Sequence, residues 1–203
     1  LKPNQVYKVN FKLDKVTKVS TNKFKTFTYN LKTVQPSFTI KDFGLRSSVA
    51  KDNMFLNGEL ETADVENGAA LEKMVTASQD NKQLKINWQH NDATKTHSYT
   101  IEEIKRGSTA NNIIIEWDGK PLNMEVKGEK SLEVPAAGDF KVLNVMPIND
   151  AQQYASVQFS DPIAIGQDLT GLISISNQTD IAYTINGSEV KVFTNGKLDG
   201  NYT

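Results

Sequence analysis

The chain contains no cysteine. This absence excludes thiol catalysis, disulfide bonds and Cys-ligated zinc, and it is compatible with both an oxidising envelope and a cytoplasm. Long apolar runs are missing too, because no uninterrupted apolar stretch exceeds three residues, whereas a transmembrane helix needs about 20. We therefore expect no transmembrane segment in this fragment.

An excess of charge of either sign is also absent. Lys and Arg number 23 against 24 Asp and Glu, for a net charge of -1, which gives no electrostatic case for nucleic acid or an anionic membrane. Hydrophobic residues make up 38 % of the 203 residues, enough for a packed core. Because the chain also lacks a signal peptide and an initiator Met, we expect that Leu1 is not the native start of the gene product.

Apolar residues recur at every second position along most of the chain. The alternating runs are VYKVNFKL (6–13), FTYNL (27–31), QLKINW (83–88), SYTIEE (98–103), NIIIEW (112–117), ASVQF (155–159), IAYTI (181–185) and EVKVF (189–193). This period indicates strands with one buried face. Turn residues separate the runs, with QDNK at 79–82, Asp-Gly at 118–119 and Asn-Gly at 186–187, and the two glycine pairs suit two-residue hairpins.

The pattern predicts an all-β fold of immunoglobulin-like antiparallel β-sandwiches in tandem. The only plausible helix is GAALEKMV at 68–75. Pro, Gly and small residues in KGEKSLEVPAAGDF (127–140) predict a domain boundary near 137, and TVQPS (33–37) marks a softer break. We predict that 1–137 is an Ig-like or macroglobulin-type region and that 138–203 is a second, incomplete sandwich.

The two ends of the chain resemble each other. Leu1 and Tyr7 frame one stretch, LKPNQVY, and Leu198 and Tyr202 frame another, LDGNY. In immunoglobulin-like sandwiches a tyrosine opens strand F and its hydroxyl binds upstream backbone. On this hypothesis 1–32 are strands F and G of a separate sandwich, 138–203 supply strands A to E, and the chain is cut from a longer multidomain protein. The alternative is that the likeness is coincidental.

A family resemblance rests on two segments of the chain, within 140–203 and 81–122. The motifs VQFSDP, QDLTGLI, AYTINGSEVKVF and LDGNYT resemble an early domain of bacterial alpha-2-macroglobulin-like proteins, and NKQLKINWQHNDATKTHSYTIEEIKR with IIIEWDGKPL is similar to the preceding domain. The resemblance implies scaffold domains of an envelope or periplasmic protease inhibitor. It implies neighbouring domains as partners and proteases bound through the full-length protein. The thioester of such traps needs a cysteine, so no reactive residue carries over.

A second hypothesis is an adhesive or carbohydrate-binding Ig-like module of a bacterial surface protein, because the fold alone does not choose between functions. An enzyme is the least favoured reading, since no nucleophile, base and orienting group form a motif. We predict no catalytic, cofactor-binding or metal residue and no cofactor.

Several side chains could form sites, but each also has a simpler explanation. His90, His97 and Asp92 could bind a metal, but a polar loop between strands explains them better. The acidic groups of GELETADVENG are better explained by a solvated turn than by a calcium or glycosidase site; they are Glu59, Glu61, Asp64 and Glu66. Asp161 and Asp168 lie on a predicted loop that could bind Ca²⁺. Trp88 and Trp117 alternate with isoleucines and are predicted to be buried core residues rather than a sugar platform.

Overall fold

A computed structural model describes residues 1–15, 26–48, 53–149, 151–176, 178, 180–194 and 196. These residues form antiparallel strands almost throughout, which confirms the predicted all-β fold. In the described part of the chain, no helix is both long and apolar enough to cross a membrane.

The chain opens with a two-stranded hairpin. Strand β1 (Val6–Lys12) pairs antiparallel with β2 (Thr26–Lys32), and among the described residues neither strand joins another sheet. The Lys2 backbone N–H donates a hydrogen bond to the Tyr7 hydroxyl over 2.6 Å, so the predicted bond between this tyrosine and upstream backbone is present. Tyr202, its proposed counterpart, lies outside the described residues.

A β-sandwich follows the hairpin. Its first sheet has the order β3-β4-β8-β7 and its second the order β10-β9-β5-β6. The strands are β3 (Phe38–Ser47), β4 (Asn53–Thr62), β5 (Val75–Gln79), β6 (Lys82–Gln83), β7 (Ile86–Asn91), β8 (Thr96–Lys105), β9 (Asn111–Asp118) and β10 (Lys127–Val134). Both sheets contribute buried apolar side chains to one core. Its members include Leu45, Leu56, Leu60, Tyr99 and Ile101 from the first sheet and Val75, Ala77, Ile113, Ile115 and Val134 from the second.

The last sheet has a single layer of strands. It contains β11 (Val142–Asn149), β12 (Gln153–Phe159), β13 (Ile181–Asn186) and β14 (Glu189–Thr194) in the order β11-β12-β14-β13. Val157, Phe159, Val190 and Val192 are buried on one face. The connection from β12 to β13 covers part of this face, where Leu169 packs into the same cluster.

The turn predictions have mixed outcomes. A two-residue loop joins β13 and β14 as predicted, but it consists of Gly187 (φ +60°) and Ser188 instead of the predicted Asn186-Gly187 pair, because Asn186 pairs with Glu189. Asp80 and Asn81, with φ of 49° and 62°, form another between β5 and β6, as a type I′ turn requires. The Asp-Gly prediction is wrong, because the 3-10 helix Lys120–Leu122 begins directly after Gly119 and lengthens the β9–β10 connection.

The predicted helical stretch contains one short α-helix, α1 (Gly68–Leu71). The Asn67 side chain accepts a hydrogen bond from the Ala70 N–H and caps its first turn, a role that asparagine fills well. The helix places Leu71 in the sandwich core and leaves Glu72 beside strand β7.

Candidate functional site

His90 and His97 lie on strands, and the expectation that they occupy a polar loop is wrong. His90 is on β7 and His97 is its direct partner on β8. Their Nδ1 atoms are 3.0 Å apart. Sequence reasoning missed the pairing because the residues on both sides of the turn are also polar, so the predicted loop included the ends of both strands. Asp92 lies in that turn.

Hydrogen bonds extend from both rings. The Glu72 carboxylate lies 3.2 Å from His90 Nε2 on the exposed side. On the buried side, His97 Nε2 lies 3.4 Å from the Thr62 hydroxyl, which donates its own proton to the Asp64 carbonyl oxygen. The Thr62 oxygen therefore accepts from His97 Nε2–H. In neutral His97 with the proton on Nε2, Nδ1 accepts a hydrogen bond from His90 Nδ1–H.

Burial agrees with this assignment of protons. His97 is 0 % exposed. Burial, and secondarily the neighbouring His90, lower the pKa of His97, because both disfavour a positive charge on the His97 ring. The network is thus a chain of polar contacts from the surface into the sheet, and its chemistry fits a structural polar cluster. Within the described residues, no group of three or more His, Cys, Asp or Glu side chains is placed to hold a metal ion.

The four acidic candidates are not gathered at one turn. Glu59 and Glu61 lie on β4, so the turn interpretation is wrong for them, whereas Asp64 and Glu66 follow the strand. Alternation along β4 places the two glutamates on the face opposite its buried leucines. Lys41 bonds to Glu61 over 3.0 Å and is the main cause of its lowered pKa.

Asp161 and Asp168 lie on the predicted loop, and each accepts hydrogen bonds from protein groups. Asp168 Oδ1 accepts from the Thr170 N–H and the Tyr183 hydroxyl at 2.8 and 2.9 Å. Hydrogen bonds with Thr170, and to a smaller extent with Tyr183, lower the pKa of Asp168. Asp161 binds Arg106. The two carboxylates are therefore used to hold loops in place.

The prediction that the two tryptophans are buried core residues holds in part: both pack against the sandwich core, but both are only partly buried. Trp88 lies on β7, an edge strand, where its ring stacks on His90 with 5.9 Å between centroids. Trp117 lies next to the end of β9 and covers Gly128 on β10. Alternation at every second residue identified the correct face of the strand for each tryptophan. It does not show how far a residue lies from the centre of the sheet.

The most extensive polar cluster surrounds Arg106, a residue that sequence reasoning did not single out. Arg106 is the residue directly after β8, and its side chain is 1 % exposed. Nε and Nη2 donate to three carbonyl oxygens of the connection to the last sheet, and Nη1 donates to a fourth carbonyl and to Asp161. The acceptors are Pro135 O (3.3 Å), Ala136 O (2.7 Å), Asp139 O (3.1 Å), Ser160 O (3.1 Å) and Asp161 Oδ1 (2.8 Å).

These five bonds use the full donor set of a guanidinium group. They join the end of β8 to residues 135–139 and to the loop after β12, so one side chain holds the sandwich, the connection and the last sheet together. A buried charge is stable only when it is paired and hydrogen-bonded, and Arg106 meets both conditions. Its partners lie 29 to 55 residues away in sequence, which explains why no local motif identified it.

Other contacts continue this junction. The Asn144 side chain on β11 donates to the Phe43 carbonyl over 3.0 Å, and Leu143 packs against the sandwich core. A cleft of about 450 Å³ runs between β3, β10 and β11. Lys130 and Lys141 in this cleft pair with Asp42 and Glu133 at 2.6 and 2.7 Å. The charges of the cleft therefore neutralise each other, and the junction has the contacts expected of a rigid connection.

The joint places two apolar cores in a defined arrangement. No known protein family, curated protein or solved structure matches the chain.

Proposed function

We propose that this chain is a non-catalytic scaffold segment of a bacterial alpha-2-macroglobulin-like protein, an envelope or periplasmic protein that traps proteases. The observation that carries the scaffold role is the joint at Arg106, whose five bonds connect the sandwich to the last sheet. A trap that changes shape when it is cleaved needs parts that move as units. A buried, fully bonded arginine between two β-layers supplies such stiffness.

The protease-trap part of the proposal rests on the resemblance of residues 140–203 and 81–122 to such proteins. The scaffold would act through neighbouring Ig-like domains of a longer chain and would meet proteases only as part of that assembly. The isolated chain should neither cleave nor inhibit a protease, since the proposal assigns it no bait segment and no thioester.

The test uses the full-length product of the gene that encodes this chain. Incubation with a panel of endoproteases should produce a cleavage-dependent change in migration on a native gel, with protease retained. Arg106→Met should reduce retention at least about tenfold, a loss of about 1.4 kcal/mol, while the initial cleavage continues. Lys41→Met, which breaks an exposed pair, is the matched control. A product that retains no protease, or retains it equally well in both variants, would contradict the proposal.

A second candidate function is favoured by one observation. Trp88 is partly exposed and its ring lies nearly parallel to the His90 ring, with 10° between their planes. Flat aromatic surfaces of this kind can stack on sugar rings, as an adhesive or carbohydrate-binding module would require. Saturable binding to a glycan array that Trp88→Ala abolishes and Trp117→Ala preserves would favour this alternative over the scaffold.

A further inference from the structure

The N-terminal hairpin has one apolar face that remains largely open. Cross-strand register places its apolar side chains together on that face; they are Tyr7 opposite Leu31, Val9 opposite Tyr29 and Phe11 opposite Phe27. Phe27 is 56 % exposed. The opposite face carries Lys8, Asn10 and Lys12. A two-stranded ribbon is at best marginally stable alone, so an amphipathic hairpin of this kind requires a surface that covers its apolar side.

The last sheet has an open apolar region of its own. Val142 and Val145 on β11 share the face of Phe159 and Val157, their register partners on β12. The β12–β13 connection covers the centre of that face, but Val145 remains 57 % exposed. Phe140 stacks on Phe159 with 5.1 Å between centroids and is itself exposed. We name Phe140, Val142 and Val145 the open patch.

Strand order indicates what would cover this patch. The order β11-β12-β14-β13, numbered along the chain, is the order of strands A, B, E and D in one sheet of an immunoglobulin sandwich. The opposite sheet of that sandwich contains an antiparallel F–G ribbon. The hairpin has the matching form, since it is an antiparallel ribbon with one apolar face and with the Tyr7 hydroxyl bonded to backbone ahead of its first strand.

The segments that carry the two surfaces have opposite net charges. Residues 1–35 contain eight Lys and one Asp, for a net charge of +7, whereas residues 138–203 contain three Lys and seven Asp or Glu, for a net charge of -4. Opposite net charges accelerate association and favour one orientation over others. Like segments repel each other, so hairpin-to-hairpin and sheet-to-sheet contacts are both disfavoured.

We propose that the chain assembles head to tail, with the β1–β2 hairpin of one copy packed on the open patch of the last sheet of a second copy. The hairpin then supplies an F–G-type ribbon opposite that sheet and forms a two-layered sandwich with it. The contact joins two different surfaces, so each copy can give its hairpin to one neighbour and receive another from the next. This inference goes beyond the proposed function and does not depend on it.

The first experiment measures the mass of the intact chain by sedimentation velocity over a range of concentrations. Species larger than the monomer should increase with concentration and decrease with added salt, because salt screens the opposite net charges. The hairpin variant Phe27→Ser/Tyr29→Ser and the patch variant Val142→Ser/Val145→Ser should each weaken association at least about tenfold, since each removes apolar contact area. Val65→Ser/Val126→Ser alters two equally exposed valines elsewhere and should have no effect.

Mixing the two defective variants isolates the head-to-tail geometry. The hairpin variant retains an intact patch and the patch variant retains an intact hairpin, so an equimolar mixture should form a dimer and nothing larger. Each variant should keep the melting temperature of its sandwich, which shows that it is folded. A monomer at every concentration of the wild-type chain, a mixture that stays monomeric, or association unchanged by both double substitutions would each overturn the proposal.

Discussion

At the scale of single residues, His97 makes stability depend on pH. Burial lowers its pKa in the folded protein, whereas the unfolded chain has the ordinary value of about 6.5. The unfolded state therefore binds more protons below that pH. The stabilisation by neutral His97 is complete above about pH 6.5 and is lost as the pH falls toward the folded pKa. We expect the free energy of unfolding to fall there by at most about 1.4 kcal/mol per pH unit.

Urea denaturation of the wild type and two variants between about pH 7.5 and pH 5 tests this. His97→Gln should flatten the decline, because an amide can accept and donate similar bonds without titrating. His90→Gln should reduce the decline without removing it, since burial is the larger cause of the shift and His90 the smaller. Equal pH slopes in the wild type and His97→Gln would assign the dependence to other groups.

At the scale of elements, two glycines make room for aromatic rings on neighbouring strands. Gly58 on β4 pairs with Tyr99 on β8, and a Cβ at position 58 would overlap the Tyr99 ring. That ring is buried and its hydroxyl donates to the Lys41 carbonyl over 3.1 Å. Gly58→Ala should therefore force the ring out of place and cost at least about 1–3 kcal/mol, as overpacked cores do.

Gly128→Ala and Gly196→Ala provide the comparison for this prediction. Gly128 lies beneath Trp117, which is only partly buried and can shift toward solvent, so its substitution should cost less and should change tryptophan emission. A Cβ at Gly196 meets no atom within 4 Å, and its substitution should be neutral. Midpoints of urea denaturation that rank the three variants in any other order would contradict the packing argument.

The strands show how far the sequence predicts the fold. Alternation identified the buried faces of β8 and β9 because a pleated strand presents its sides in turn. It could not place Trp88 on an edge strand, since pairing order depends on contacts between distant segments. The Asp118-Gly119 pair led to a wrong prediction of a two-residue turn, because Pro121 favours the start of a 3-10 turn there. Local sequence patterns predict where strands lie and which face is buried. Tertiary contacts decide which strands lie at the edge of a sheet and where the elements end.

The candidate sites were less predictable than the strands. His90 and His97 are seven residues apart, and only the register of their hairpin brings the rings together. Arg106 directly follows the charged end of β8, so the sequence alone would predict that its side chain lies in solvent. Its burial results from carbonyl groups that another part of the chain supplies. A site built from long-range backbone contacts has no sequence motif, so composition and spacing could not reveal it.

At the scale of the whole molecule, the Arg106 joint should couple the unfolding of the sandwich to that of the last sheet. Arg106→Met removes five hydrogen bonds and leaves the Asp161 carboxylate without its partner guanidinium. Breaking a buried pair on one side costs about 3–5 kcal/mol. The last sheet should lose most of this stability, because among the described residues its core cluster has five buried members against fifteen in the sandwich.

Two optical signals separate the layers. Trp88 and Trp117, the two tryptophans of the chain, both pack against the sandwich core, whereas far-ultraviolet circular dichroism reports every strand. In the wild type, the two urea transitions should coincide, as a single cooperative unit requires. In Arg106→Met, circular dichroism should decrease at lower urea than tryptophan emission does. Lys41→Met, which breaks an exposed ion pair, should cost less than about 1 kcal/mol and keep the transitions together. Coincident transitions in Arg106→Met, at an unchanged midpoint, would mean that Arg106 does not couple the two layers.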